Sequence, residues 1–282
     1  MVSGKFTVCW FCSHSGNLFK FDRYTKPGLT MNISKSVLSD IRSLHQTKFR
    51  NDTGLFIAEG EKVIDELKHS GLRIRLIAAL PEYFETNPFT ASGTIQYEVN
   101  EKDLARISLL STPNKVLAVA EKPANPEFLI AGDSAPIVLL DSIRDPGNLG
   151  TIIRTAEWFG VKKIVCSSDC VETFNPKVVQ SAMGSLFRMS TFRGDLVTFL
   201  ETLKLEGGYK VFGADLSGEP LNHRKIDDKV ALIIGSESHG ISKEILQMAD
   251  MKVLITRGAG STTESLNAAV ACGILLSELT TK

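Results

Sequence analysis

The sequence predicts an α/β protein whose larger, C-terminal part is built on a buried parallel sheet, with a smaller α/β unit in front of it. Three observations predict this. Short apolar runs recur at Ile137 to Leu140, Lys163 to Cys166, Lys210 to Ala214, Ala231 to Ile234 and Lys252 to Ile255, and strands buried on both faces read as such runs. Stretches of helical period separate them, as a parallel sheet with helical crossovers requires. At 282 residues the chain exceeds the ~100–200 residues of one ordinary domain, so two are expected.

Met1 to Thr30 mixes aromatic residues with Ser, Gly and Asn and holds no period, so residues 1–30 are expected to be a disordered or non-native leader. Regular patterning starts at Met31. Val37, Ile41, Leu44 and Lys48 fall on one helical face, Leu55 to Ala58 reads as a strand, and Glu61 to His69 reads as a helix. IRLIAAL, TIQYEV, the helix EKDLARIS and KVLAVAEKP follow in βαβ-like order. Lys122-Pro123-Ala124-Asn125-Pro126 has the composition of a linker. The expected division is therefore a small domain over 31–123, a linker over 124–135 and the larger domain over 136–282.

Three segments of the larger domain carry chemistry. In IVLLDSIRDPGNLGTIIRTAEWFG an apolar strand opens into a turn, Asp145-Pro146-Gly147, and then a helix. Asn148 opens that helix, where it either caps the helix by accepting main-chain N–H bonds or presents its amide to a substrate. Arg154 is either a surface residue paired with Glu157 or Asp145, or a cationic clamp for phosphate. In VALIIGSESHGIS, Gly235, Ser236 and Glu237 end an apolar strand, the edge where open α/β sheets bind ligands. Gly235 would permit close approach of a cofactor, and Glu237 would accept bonds from loop amides or orient Arg154. In VLITRGAGSTTESLNAAVACGILLSE, Ser265 to Asn267 open the final helix, whose first amides suit a cap or a polar ligand.

Taken together, Asn148-Leu149-Gly150 to Arg154, Gly235-Ser236-Glu237 to Gly240, and Ser265-Leu266-Asn267 resemble the three motifs of the SpoU (TrmH-like) family of RNA ribose 2′-O-methyltransferases. The resemblance implies a SPOUT-type parallel sheet with a C-terminal trefoil knot. It also implies a small ribosomal-protein-like α/β substrate-binding domain in front, to which Phe56-Ile57-Ala58-Glu59-Gly60 is similar. The implied activity is transfer of a methyl group from S-adenosyl-L-methionine to a ribose 2′-hydroxyl of structured RNA, most simply ribosomal RNA, by a homodimer. A transfer-RNA enzyme and an inactive RNA-binding protein of the same fold are the alternatives. Retention of Asn148, Arg154, Glu237, Ser265 and Asn267 favours an enzyme.

On the same basis Arg154, Asn148 and Glu237 are the expected catalytic residues. Gly235, Ile255, Ser265, Leu266 and Asn267 are the expected cofactor site, with Ile255 and Leu266 acting through main-chain groups. A ribose hydroxyl is a weak nucleophile, so some group must accept its proton or stabilise its anion. Arg154 is effectively always protonated, which suits it to the second task and to phosphate. The chain departs from the family pattern in having Thr256 where Pro is usual, and a longer loop from Arg257 to Thr263 before Ser265.

Composition sets outer limits. With 32 basic and 32 acidic side chains there is no global basic field for nonspecific nucleic-acid binding. Lys35, Arg42, Lys48 and Arg50 make a local excess, read as an RNA patch or as a solvated helix face. Of the five cysteines, Cys166, Cys170 and Cys272 are expected in the core, and the pattern fits a reducing compartment. Cys9 and Cys12, with His14 nearby, form a lone C-x-x-C, too little for a zinc site, so no metal is expected. No run approaches the ~20 apolar residues of a membrane span, and no signal peptide opens the chain, so a cytoplasmic protein is expected. Gly258 to Thr263 lacks the Lys of a phosphate-binding loop, and Ser238 lacks the spacing of a hydrolase nucleophile.

Overall fold

A computed structural model describes residues 30–88, 93–124, 127–130, 134–221 and 229–280. The leader up to residue 29, the Cys9–Cys12 pair and parts of the linker lie outside the described residues, whereas Thr30 already belongs to the first strand.

The N-terminal half holds β1 (Thr30–Asn32), α1 (Lys35–Ser43), α2 (Thr47–Thr53), β2 (Leu55–Glu59), α3 (Glu61–His69), β3 (Ile74–Ala79), α4 (Pro81–Thr86), β4 (Ile95–Glu98), α5 (Glu101–Ile107) and β5 (Val116–Glu121). Its five strands form one sheet in the order β1-β4-β3-β5-β2. The sheet is mixed, because β5 runs antiparallel to both β2 and β3, while β1, β4 and β3 pair in parallel.

The single helical face expected over Val37 to Lys48 is instead divided between α1 and α2. Gln46 has extended backbone, and Arg50 turns its guanidinium back onto the carbonyls that α1 leaves open, donating from Nη1 to Leu44 at 2.7 Å and His45 at 2.9 Å. Terminal helix carbonyls need partners from outside the helix, and Arg50 provides them. The expected basic patch therefore loses a member. Lys35, Arg42 and Lys48 are exposed, but Arg50 is fully buried and ion-paired with Glu172 of the C-terminal half.

That half holds β6 (Ile137–Asp141), α6 (Pro146–Trp158), β7 (Lys163–Cys166), α7 (Pro176–Ala182), β8 (Ser190–Arg193), α8 (Leu196–Leu205), β9 (Tyr209–Pro220), β10 (Lys229–Gly235), α9 (Lys243–Gln247), β11 (Met251–Leu254) and α10 (Ala268–Thr280). The sheet order is β11-β9-β10-β6-β7-β8, and every recorded pairing is parallel, as the apolar runs require. From β6 the chain steps outward through β7 and β8, then crosses to build the other side with β9 and β10. The order reverses between β6 and β10, so their carboxyl ends lie side by side, Gly235 in register with Asp141. In open α/β sheets this switch point is where ligands bind.

The two halves share one apolar core. Phe56 on β2 meets Phe174 at 4.9 Å and Phe187 at 5.9 Å between ring centres. Around that contact, Arg50 Nε donates to Glu172 at 2.7 Å and Lys122 Nζ reaches the other carboxylate oxygen at 2.6 Å. Arg188, on the short 3-10 turn after α7, bridges Glu66 of α3 and Glu157 of α6. Cys166, Cys170 and Cys272 are all buried. Among the described residues no helix is long and apolar enough to cross a membrane, and no group of three or more His, Cys, Asp or Glu could hold a metal ion.

Candidate active site

At the switch point β6 runs straight into the turn before α6. Asp145 accepts the main-chain N–H of Asn148 at 2.8 Å and caps the helix. The capping role open to Asn148 thus belongs to Asp145. Pro146 takes the first helical position, where its missing N–H costs nothing, so the cap falls one residue before it. Asn148 sits at the third position, its side chain free to point elsewhere. Gly150, two residues further, lies against α7: a methyl group there would stand 2.5 Å from the Ser181 Cβ and 2.7 Å from the Val178 carbonyl oxygen.

Beyond β10 the chain doubles back, with Gly240 donating to the Ser236 carbonyl at 2.8 Å. A Cβ on Gly235 would collide with the main chain of Gly240 and Ile241. The close approach that demands glycine here is by the protein's own backbone. Asp141, buried at the end of β6, accepts the Ser242 N–H at 2.8 Å and ties down the far end of this loop. Sequence reading missed Asp141; its signal was an acid ending an otherwise apolar strand. The loop thus held carries Glu237, exposed, toward α6.

The third segment arrives from β11. Residues 256–266 are exposed, with Arg257 donating across the loop to the Glu264 carbonyl. Asn267 then caps α10, its Oδ1 accepting from Ala269 at 3.0 Å and Val270 at 3.3 Å.

These pieces meet. Asn267 Nδ2 donates to Asn148 Oδ1 at 2.8 Å, and Asn148 Nδ2 donates to Glu237 Oε1. Three segments separated by 89 and 119 residues of sequence from Asn148 converge in one polar chain at the carboxyl edge of the sheet. Residues 135–277 match the SpoU rRNA Methylase family, and residues 36–118 match the MRM3-like substrate binding domain.

The chain belongs to the SpoU rRNA methylase family.

Its relatives include the 23S rRNA (guanosine(2553)-2′-O)-methyltransferase of Bacillus subtilis, 32% identical over 86% of this chain and 95% of that protein. A TrmH-family structure from Porphyromonas gingivalis superposes with a TM-score of 0.78 at 33% identity, covering 87% of this chain and 97% of that one. The AdoMet-bound rRNA methyltransferase of Sinorhizobium meliloti gives 0.78 at 31%, covering 88% and 96%.

Within this SpoU methylase the remaining expected site residues are placed as follows. Gly235 ends β10, Ile255 follows β11 half-buried against the core, and Ser265 and Leu266 are exposed just before Asn267. The main-chain groups of Ser265 and Leu266 take no hydrogen bond from the described residues. Unpaired amides and carbonyls beside an exposed Leu suit the polar edge and flat face of an adenosine, so these residues fit the family's methyl donor.

Arg154 is not part of the polar chain. Six residues beyond Asn148 it lies about 9 Å further along α6 and on another face. It is exposed, and neither surface partner considered for it is used: Glu157 pairs with Arg188, and Asp145 caps the helix. It lines a cleft of about 600 Å³ with Lys62, Glu66, Trp158, Ser185 and Arg188.

Proposed function

We propose that this chain transfers a methyl group from S-adenosylmethionine to a ribose 2′-hydroxyl of ribosomal RNA. The observation that carries the reading is the chain Asn267, Asn148, Glu237, which joins three motif segments at the one sheet edge suited to a ligand. A pure RNA-binding protein has no need for it.

When bound, S-adenosylmethionine supplies an electrophilic methyl on its sulfonium. Gly235, Ile255, Ser265, Leu266 and Asn267 would hold it, chiefly through main-chain groups of the strand ends and loop. Glu237 has one oxygen committed to Asn148 and the other without a partner among the described residues. That free oxygen is an acceptor for the ribose hydroxyl, which must give up its proton as it attacks. Asn148, held on both sides of its amide, keeps Glu237 in place and is pre-organised rather than recruited. Arg154 supplies the positive charge, clamping RNA phosphate and stabilising the developing alkoxide. It does not touch the cluster within the single chain, so its part requires substrate that spans the two.

The longer loop before Ser265, exposed over residues 256–266, would form one rim of the donor pocket. We further propose a C-terminal trefoil knot, supported by the return of α10 from the sheet edge to pack on α6 and β10. A cytoplasmic homodimer completes the reading. Trp158 on α6 and Val270 on α10, 85% and 51% exposed, are apolar side chains on adjoining helices that a second copy would cover. Light scattering that finds only monomer at micromolar concentration removes the dimer.

The deciding experiment incubates the protein with radiolabelled S-adenosylmethionine and deproteinised ribosomal RNA, with transfer RNA in parallel. Mass spectrometry of the nucleosides then locates the methyl. Label on the sugar of ribosomal RNA is expected. Label on a base, on transfer RNA alone, or none with either RNA overturns the assignment.

A further inference from the structure

A second cleft, of about 380 Å³, opens between the two halves beside the first turn of α6, adjacent in the chain to Asn148. Its volume is within the ~300–1,000 Å³ of small-molecule sites. Ile57, Leu110, Pro146 and Pro176 give it apolar sides, while Glu59 and His45 stand on the N-terminal wall.

Glu59 is only 6% exposed. Its Oε1 is spent on the protein, accepting Ser108 Oγ at 2.6 Å and the Asn114 N–H at 3.3 Å. Its Oε2 has no hydrogen-bond partner among the described residues. No polar side-chain atom among the described residues is both fully buried and unpaired, so this oxygen keeps its access to the cleft. His45 donates Nε2–H to the Ile107 carbonyl at 2.8 Å. Burial holds the ring below its usual pKa, so it is neutral at pH 7 and its other nitrogen is an acceptor. The cleft thus offers flat apolar sides and two acceptors, Glu59 and His45, on its N-terminal wall, whereas its donors, Lys177, Gln180 and Ser181, belong to α7 of the C-terminal half. A planar ring with an amino group on its edge satisfies such a wall. Uracil does not, because its one ring N–H is flanked by two carbonyl oxygens that meet the carboxylate unfavourably.

We propose that this cleft receives an unstacked nucleobase of the RNA substrate next to the modified ribose, and that Glu59 selects guanine, adenine or cytosine over uracil. The proposal rests on the RNA-methyltransferase reading. A site built around a buried acceptor rejects a ligand that lacks the matching donor more strongly than apolar contact does.

The test is fluorescence anisotropy with labelled pentaribonucleotides UUGUU, UUAUU, UUCUU and UUUUU. The unaltered protein should bind the first three about tenfold more tightly than the last. In Glu59→Gln the amide oxygen stays with Ser108 and Asn114, so the NH₂ takes the place of Oε2 and the wall becomes a donor. UUUUU should then gain on the other three, an inversion that loss of a merely structural contact would not produce. Gln180→Trp fills the cleft from the opposite wall without touching Glu59, and should erase the preference even if Glu59→Gln is too unstable to assay. Equal affinity for all four, no binding by any, or a preference that survives both variants overturns the proposal. Methyl transfer to ribosomal RNA and calorimetric binding of S-adenosylmethionine are measured on the same preparation. Where those succeed and the base preference is absent, only the Glu59 assignment falls; where those fail, the methyltransferase reading falls.

Discussion

Asn267 donates to Asn148 at 2.8 Å, and the direction of that bond is fixed from both ends. Asn267 Oδ1 is held by the N–H groups of Ala269 and Val270, so its Nδ2 must face Asn148. Asn148 then has to accept on Oδ1 and donate from Nδ2, and Glu237, a carboxylate, can only accept. Neither amide can flip without breaking a partner. The start of α10 thereby sets the orientation of a carboxylate at the end of β10.

Asn267→Asp separates capping from this relay. Aspartate keeps the acceptor for Ala269 and Val270, so the melting temperature should change by no more than about 2 °C. It also confronts Asn148 Oδ1 with a second acceptor and turns the amide away from Glu237. Methyl transfer should fall roughly 10- to 100-fold, the value of about 1–3 kcal/mol for an unsatisfied polar contact. An unchanged initial rate removes the relay from the mechanism.

Arg154→Ala should leave folding intact, because the side chain is exposed and makes no ion pair among the described residues. S-adenosylmethionine affinity by titration calorimetry should also hold. RNA affinity should weaken, and the slope of log K against log salt should become shallower by about 1, the signature of one lost phosphate contact. A salt slope identical to that of the unaltered protein speaks against the clamp.

Arg50→Met leaves Glu172 with Lys122 as its remaining cationic partner and strips the open carbonyls of Leu44 and His45. Removing one member of a buried pair costs about 3–5 kcal/mol, and a drop of roughly 10 °C in melting temperature is expected. Adding Glu172→Leu should recover part of it, since both charges are then gone. Calorimetric scans of the single and double variants check the sign of that coupling.

His45 makes stability depend on pH. Burial, followed by Arg42 and Arg50 nearby, lowers its pKa despite the bond to Ile107 and the charge of Glu59. The unfolded chain therefore binds a proton near pH 6.5 that the folded protein refuses, so the contribution is complete above that pH and is lost as pH falls through the lowered folded value. Urea midpoints should decline between pH 7 and pH 5 more steeply for the unaltered protein than for His45→Gln. Parallel curves would mean that the ring titrates alike in both states.

The sequence was legible where one kind of force decides the structure. β6, β7 and β10 are largely apolar runs buried on both faces, which leaves no other reading. β8, Ser190–Arg193, was invisible because STFR is neither apolar nor alternating and becomes a strand only through its pairing with β7. β9 runs on to Pro220, past its apolar part, because Gly218 admits the backbone of Lys252 and Val253. The residues of the polar chain were legible as motifs, but their connection was not, since hydrogen bonds across 89 and 119 residues leave no local pattern. Arg50 misled for a related reason. Composition counts a charge as solvent-facing, and only the fold reveals the carboxylate waiting for it.

The Arg50–Glu172 pair, the Phe56–Phe174 contact and the Arg188 bridge together fasten the substrate-binding unit to the methylase unit along one seam. The protein therefore behaves as a fixed gauge rather than a pair of jaws. An RNA that is to reach the sheet edge and the inter-unit cleft at once must itself supply the bend, and the cost of misfit falls on the RNA. Selection then acts on how readily a strand deforms, and a substrate of suitable sequence in too stiff a helix would be passed over.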